Sequence, residues 1–417
     1  MRRLCIICKG SRLLCGRSAC PLLAALRHKT LFAELSAKKD FFGPSTSVFV
    51  GRMGYPSVNA GPMAVLESES SESDVSVEKL EKPGEWLAQG LDMAEIIQLR
   101  SATLRSKRRE HIKSQSKFVS DMSEIAMAQQ PVDVELAFKN RPSFKLSFSD
   151  VLQPMGASVN VEAMRVVGNP KIEKKVDRIV SDDIKAVEAA QELYNIGMDV
   201  YKVSTILSSG ALGSRDAQKM VPTRWSITAT DDIIFKELAA QFKEYPTVNA
   251  CYVYESSYMG NHFLILLMPS LFEYENFEAW FPGSFWSDAF SPRPVIIEEY
   301  EGYKGRRGYA TNEGGGYYAA RLAVAEALHR MRRQAGVVVF RQIYPEYSVP
   351  LGVWVVRETV RAAFRTRPEK FDTKSEALRY IDSRLRLHAK EGMRIRLGIK
   401  DFEPLSRILR QKRITDF

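Results

Sequence analysis

Residues 100–117 read Arg100-Ser-Ala-Thr-Leu-Arg-Ser-Lys-Arg-Arg-Glu-His-Ile-Lys-Ser-Gln-Ser-Lys117. Seven of these side chains are Lys or Arg and one, Glu110, is acidic. Upstream, Pro83 and Glu85 suit the first turn of a helix, and Leu91, Ile96, Ile97 and Leu104 continue its apolar spacing. The stretch therefore reads as the basic end of a helix begun at Pro83. In a helix, Arg100, Arg105, Lys107, Arg108, Arg109 and Lys113 cannot share one face. Two roles fit. One is a solvated helix end. The other is a surface that tracks DNA phosphates, with Arg105, Lys107, Arg108 and Arg109 as the contacts.

Outward from this stretch, strand-like and helix-like runs alternate. Residues 142–170 hold short β-like runs broken by Pro and Gly, and 181–196 form an amphipathic helix with Ile184, Val187, Ala190 and Tyr194 on one stripe. Arg224-Trp225-Ser226-Ile227-Thr228 alternates like a strand, which would turn Arg224, Ser226 and Thr228 to one side, toward an anion or toward solvent. Asp231-Asp232 then caps a helix over 233–243. Two strands are expected around Met259-Gly260-Asn261, a central strand over Val337–Ile343, and helices within 350–364 and over 374–387. The aromatic-rich 272–290 reads as core. The fold class is α/β, in the mixed α+β sense: a two-lobed body with a module before it and a flexible tail after it.

Composition is ordinary for a folded chain of 417 residues, at 45% hydrophobic and 26% charged. Net charge is +10, which suits a polyanionic partner. No apolar run approaches the ~20 residues of a membrane helix, so no membrane partner is expected.

The Gly run in Glu313-Gly314-Gly315-Gly316-Tyr317-Tyr318 precedes a helix carrying Arg321. Such a run exposes backbone N–H groups to an anion. It matches neither G-x-x-x-x-G-K-[ST] nor a G-x-G-x-x-G after a strand. A loop before a packing helix is the plainer reading. A nucleotide or anion pocket would draw on Arg224, Ser226, Thr228, Gly314, Gly315, Gly316 and Arg321, with Glu299, Glu301 and Glu313 for acid–base work.

Four of the five cysteines lie at Cys5, Cys8, Cys15 and Cys20, a C-x2-C-x6-C-x4-C spacing. Four thiolates satisfy a tetrahedral Zn2+, so one structural zinc ion is expected. Ligation would order a peptide too short for a core of its own. An iron–sulfur cluster, a pair of disulfides or a basic transit peptide are the other readings. Arg2, Arg3, Lys9, Arg12 and Arg17 surround the cysteines and would meet DNA phosphates or solvent. Cys251, in an apolar run, reads as a buried thiol.

The chain ends Gln411-Lys-Arg-Ile414-Thr-Asp-Phe417. This is Q-x-x-Ψ-x-x-aromatic, the form of peptides that dock on sliding clamps. One tight turn brings i, i+3 and i+6 to one side, so that Ile414 and Phe417 plug a pocket and Gln411 bonds at its edge. The usual motif carries two adjacent aromatics, whereas this chain has one.

Taken together, these stretches resemble the archaeal Nre family of DNA repair proteins. The resemblance rests on the four cysteines, Gly51-Arg52-Met53-Gly54-Tyr55-Pro56, Arg224–Thr228, Gly314–Arg321, Pro350-Leu-Gly-Val-Trp354 and the terminal motif. It implies DNA damage repair, a four-Cys metal site, binding to the PCNA clamp, and a cytoplasmic, nucleoid-associated protein. It implies no catalytic residues. An enzyme using a nucleotide or NAD, acting on DNA lesions or on protein, is the other function class. Four segments follow: a zinc-finger-like module over 1–35, a central α/β domain over 36–292 with an acidic loop at 64–82, a C-terminal α/β domain over 293–405, and a PCNA-interacting tail over 406–417.

Overall fold

A computed structural model describes residues 20, 38–66, 77, 80, 82–142, 156–284, 286–287, 291–387 and 395–411. The chain divides into two compact units, and the division falls inside one helix, between Ile234 and Phe235.

In the unit that precedes this division the elements run β1 (Asp40–Val50), β2 (Ser57–Val65), α1 (Pro83–Ala88), α2 (Met93–Ser101), β3 (Thr103–His111), α3 (Lys117–Met127), β4 (Val132–Phe138) and β5 (Ser158–Val166). Then come α4 (Lys174–Ser181), α5 (Ala186–Asn195), α6 (Val200–Ser209) and the shared helix α7 (Thr223–Phe242). The expected helix through Lys117 is corrected. Two helices, α1 and α2, stand in its place, the second ending at Ser101, and the basic stretch is strand β3. The apolar spacing of 3.6 stops at Ala102. After it Leu104, Ser106 and Glu110 are buried, while Arg105, Lys107, Arg109 and His111 lie toward the outside with period two. Pairing with two neighbouring strands decides the matter, because it satisfies the backbone of a segment with weak helical preference.

The five strands close a barrel in the order β1-β2-β3-β5-β4. Neighbours are antiparallel except β3 and β5, which run parallel. Helix α3 connects β3 to β4 and places Phe118, Met122, Ile125 and Ala126 in one core with Val48, Val58, Leu104 and Val134. This order, these directions and the helix at this point are those of the oligonucleotide/oligosaccharide-binding (OB) barrel. Gly61 is required where β2 meets β3, since a Cβ there would collide with the backbone oxygen of Ser106. A second core joins Val176, Ile179, Leu193, Val203 and Ile206 of α4, α5 and α6.

The unit after the division contains β6 (Cys251–Tyr258), β7 (Asn261–Met268), β8 (Glu273–Trp280), β9 (Val295–Glu301), α8 (Gly315–Met331), β10 (Gly336–Ile343), α9 (Trp354–Ala363), β11 (Glu369–Phe371), α10 (Lys374–Leu387) and α11 (Ile399–Phe402). The sheet order is β11-β6-β7-β10-β8-β9. Every residue of β7 and β10 is buried, as the continuous apolar run Val337–Phe340 led one to expect of a central strand. Leu264, Leu266, Phe277, Val338 and Phe340 pack one sheet face against Ile381, Leu385, Phe402 and Ile408. Cys251 lies in the same core. A domain boundary was expected near 292; β8 and β9 pair across that point, Trp280 opposite Val295. A cut there would separate adjacent strands of one sheet.

Candidate functional site

The turn Gly51–Pro56 joins β1 to β2. Gly54 has φ 81°, a left-handed conformation, and a Cβ on it would collide with the Arg109 guanidinium that packs against the turn. The start of α7 reaches the same turn. The Val50 N–H donates to Thr223 Oγ1 at 2.9 Å. The Trp225 ring lies 5.2 Å from that of Tyr55, tilted by 56°. Both rings are nearly half exposed, Tyr55 at 45% and Trp225 at 44%. Arg52, Met53, Arg109 and Arg224 are also exposed. Two stretches far apart in sequence thus build one aromatic and basic patch.

Arg224–Thr228 was expected as a strand and forms the first turns of α7 instead. Five residues of alternation are too few to exclude a helix, and Pro222 begins it, accepting from the N–H groups of Trp225 and Ser226. The helical period separates the expected triad. Ser226 is buried, donates to the Thr223 carbonyl at 3.0 Å and lies 3.1 Å from Ser204 Oγ. Arg224 points out and Thr228 is half-buried.

On the outer face of the barrel, β2 and β3 place Met63 opposite Arg105 and Asn59 opposite Arg109. The Arg105 guanidinium covers the Phe49 ring at 5.0 Å. Lys107 Nζ donates to Ser158 Oγ at 2.9 Å. Burial lowers the pKa of both cations, and for Lys107 the charge of Arg105 lowers it further. Arg108 leaves this group. Its Nε lies 3.0 Å from Glu110 Oε1, and its guanidinium covers Phe118.

The other unit holds a buried polar row under α8. Arg341 Nη1 donates to Glu278 Oε1 at 2.5 Å, and Arg341 Nη2 to Asn261 Oδ1 at 2.6 Å. Trp280 Nε1 donates to Glu278 Oε2 at 3.1 Å. Asn276 donates to Glu313, and Arg321 and Tyr317 both donate to Glu301. A Cβ on Gly316 would come within 2.8 Å of Glu278 Oε1. The glycine therefore makes room for an internal carboxylate in the first turn of α8. Gly314, the N-cap, has φ 61°. Burial, then the Glu278 charge, raises the pKa of Glu313. Burial and the Glu275 charge push Glu298 up to about 7. Arg321 is buried and committed to Glu301, with its guanidinium 3.8 Å from the Phe235 ring centre. Arg224, Ser226 and Thr228 belong to one unit, and Gly314–Gly316 and Arg321 to the other.

Cys5, Cys8 and Cys15 lie outside the described residues, and Cys20 is half-buried. Among the described residues no three His, Cys, Asp or Glu side chains form a group that could hold a metal. Ile414 and Phe417 also lie outside them. Gln411 is exposed, and Lys374 Nζ donates to its carbonyl at 3.3 Å and to that of Leu409 at 3.0 Å. No helix among the described residues is long and apolar enough to cross a membrane. The sequence reading gave Tyr55 and Trp225 no role, although both lie in stretches that carry the family resemblance. Their pairing across the chain has no local signal.

An OB-type barrel with a basic, aromatic rim, followed in the same chain by a six-stranded mixed sheet, defines a two-unit α+β protein. The family model described as archaeal Nre, N-terminal, matches residues 14–287, and that described as archaeal Nre, C-terminal, matches 301–417. The chain belongs to the archaeal Nre family. It is 40% identical to DNA repair protein NreA of Archaeoglobus fulgidus, covering 90% of this chain and 92% of that one. It is 37% identical to DNA repair protein NreB of the same organism, over 91% and 92%. Identity to DNA repair protein NreA of Haloferax volcanii is 35%, over 81% of each chain. No solved structure matches it.

Proposed function

We infer that this chain is a DNA damage repair factor of the archaeal nucleoid. It docks on the PCNA clamp through Gln411, Ile414 and Phe417 and contacts DNA through its cysteine module and basic surfaces. One observation carries the reading: relatives 35–40% identical, matched over 81–91% of the chain, bear the name DNA repair protein. The clamp motif starts at Gln411, just beyond the core residues Ile408 and Leu409. A tail binding modestly gains from a second contact to DNA, since each raises the effective concentration of the other. Clamp binding is tested with the full chain and its Ile414→Ala/Phe417→Ala variant on immobilised archaeal PCNA. The variant is expected to lose at least tenfold in affinity, and equal binding refutes the tail's role. Cys5, Cys8, Cys15 and Cys20 take one structural zinc ion in this reading. Elemental analysis of the purified chain is expected to find zinc near one equivalent, and its absence removes the ion.

A second reading, an enzyme using a nucleotide or NAD, draws support from the carboxylates near α8. Glu298 and Glu313 have raised pKa values, and groups so tuned serve acid–base chemistry. Its ligand would lie at Gly314–Gly316, close to the Glu278 carboxylate. Thermal shift with a panel of nucleotides tests it, and the lack of any shift refutes it.

A further inference from the structure

We propose that the outer face of β2 and β3, the β1–β2 turn and the start of α7 form a binding site for single-stranded DNA, in which Tyr55 and Trp225 stack on bases while Arg52, Lys107 and Arg109 hold phosphates. The proposal rests on the DNA-contact part of the function above and names the kind of DNA.

Three observations converge on this one surface. The first is topology. In OB barrels, the β2–β3 face and the β1–β2 loop are where oligonucleotides bind, and this barrel has that strand order and those directions. The second is charge. Arg105, Lys107 and Arg109 alternate along β3, so its pleat turns them to one side, and Arg52 and Arg224 are exposed around the adjoining turn. A row of cations on one strand repels itself, and a phosphate backbone relieves that repulsion. Burial lowers the pKa of Lys107, and the neighbouring charge of Arg105 lowers it further.

The third observation is the aromatic pair. Tyr55 and Trp225 are large apolar surfaces left nearly half in water, one on the turn and the other on the helix that reaches it. They are tilted by 56°, so the two rings are not stacked face to face. Aromatic platforms among cations suit unpaired bases, whose faces are free to stack. A duplex keeps its bases stacked on one another and offers such rings nothing but its backbone. The surface therefore favours a single strand over a duplex.

The test uses the full chain and fluorescence anisotropy, with labelled oligothymidylate, a blunt duplex of equal length, and oligouridylate of equal length. The wild type is expected to bind oligothymidylate at least tenfold more tightly than the duplex. Tyr55→Ala/Trp225→Ala is expected to lose about tenfold or more on the single strand and to change duplex binding little. Arg52→Ala/Arg109→Ala is expected to weaken binding and flatten its dependence on salt. Equal binding of single strand and duplex overturns the proposal and leaves DNA contact standing. Unchanged single-strand affinity in the aromatic variant, with its melting temperature intact, overturns the site. Tighter binding of oligouridylate assigns the face to RNA and overturns the DNA reading. No binding of any DNA sinks both this proposal and the DNA-contact part of the function, whereas clamp binding by the tail is read in a separate experiment.

Discussion

Arg341 and Glu278 face each other across the parallel ladder of β10 and β8 and close an ion pair at 2.5 Å on the buried side of the sheet. Two charges removed from water are tolerable here because each has further partners: Asn261 for the guanidinium, Trp280 for the carboxylate. Arg341→Met strands the carboxylate. The expected loss is about 3–5 kcal/mol in urea unfolding. Arg341→Met combined with Glu278→Leu is expected to recover part of it, because no buried charge is left alone. A double variant no more stable than the single would show that the pair's packing, not its charge, matters.

Gly316→Ala sets two effects against each other. Alanine in a helix is ordinarily more stable than glycine by about 0.5–1 kcal/mol. Here its Cβ would come within 2.8 Å of a Glu278 oxygen that Arg341 holds in place. Crowding should win, for a net loss of about 1–2 kcal/mol by the same unfolding measurement. A gain in stability would mean that the carboxylate can move.

Glu298 predicts a pH dependence. Its folded pKa, pushed up to about 7 by burial and by Glu275, lies above the ordinary value of 4.5. The folded state therefore prefers the neutral carboxyl. Ionisation costs stability as pH rises from about 4.5 through about 7. Glu298→Gln should match the wild type near pH 4.5 and melt a few degrees higher at pH 8, read by calorimetry at both pH values. A difference that does not vary with pH would contradict the assigned shift.

Gly61→Ala tests the barrel. The new methyl group would meet the backbone oxygen of Ser106, which has no rotamer to escape by. A loss of roughly 2–3 kcal/mol or more is expected, with the β3 amides exchanging faster with solvent. Unchanged exchange there would argue that β2 and β3 pair otherwise.

Tyr55→Ala should cost little, within about 0.5 kcal/mol, because the ring is 45% exposed and packs on a neighbour of similar exposure. A large drop in the unfolding midpoint would make Tyr55 a structural residue rather than a binding one.

Local pattern was enough for much of the second unit. The hairpin about Gly260, the central strand over Val337–Phe340 and the helix Lys374–Leu387 follow from apolar period and turn residues, which act within a few residues of one another. Family membership was likewise legible, from cysteine spacing and short motifs. Residues 103–111 were not: a run of cations has no strong preference of its own, and its strand form comes from partners far away in sequence, upstream in β2 and downstream in β5. The same holds for the rim. Arg224, Ser226 and Thr228 looked alike in one dimension, but the helix turned the serine into the core and left the arginine exposed. Burial and neighbourhood are properties of the folded chain, so motifs could name the family while packing alone chose which of their side chains are buried and which face out.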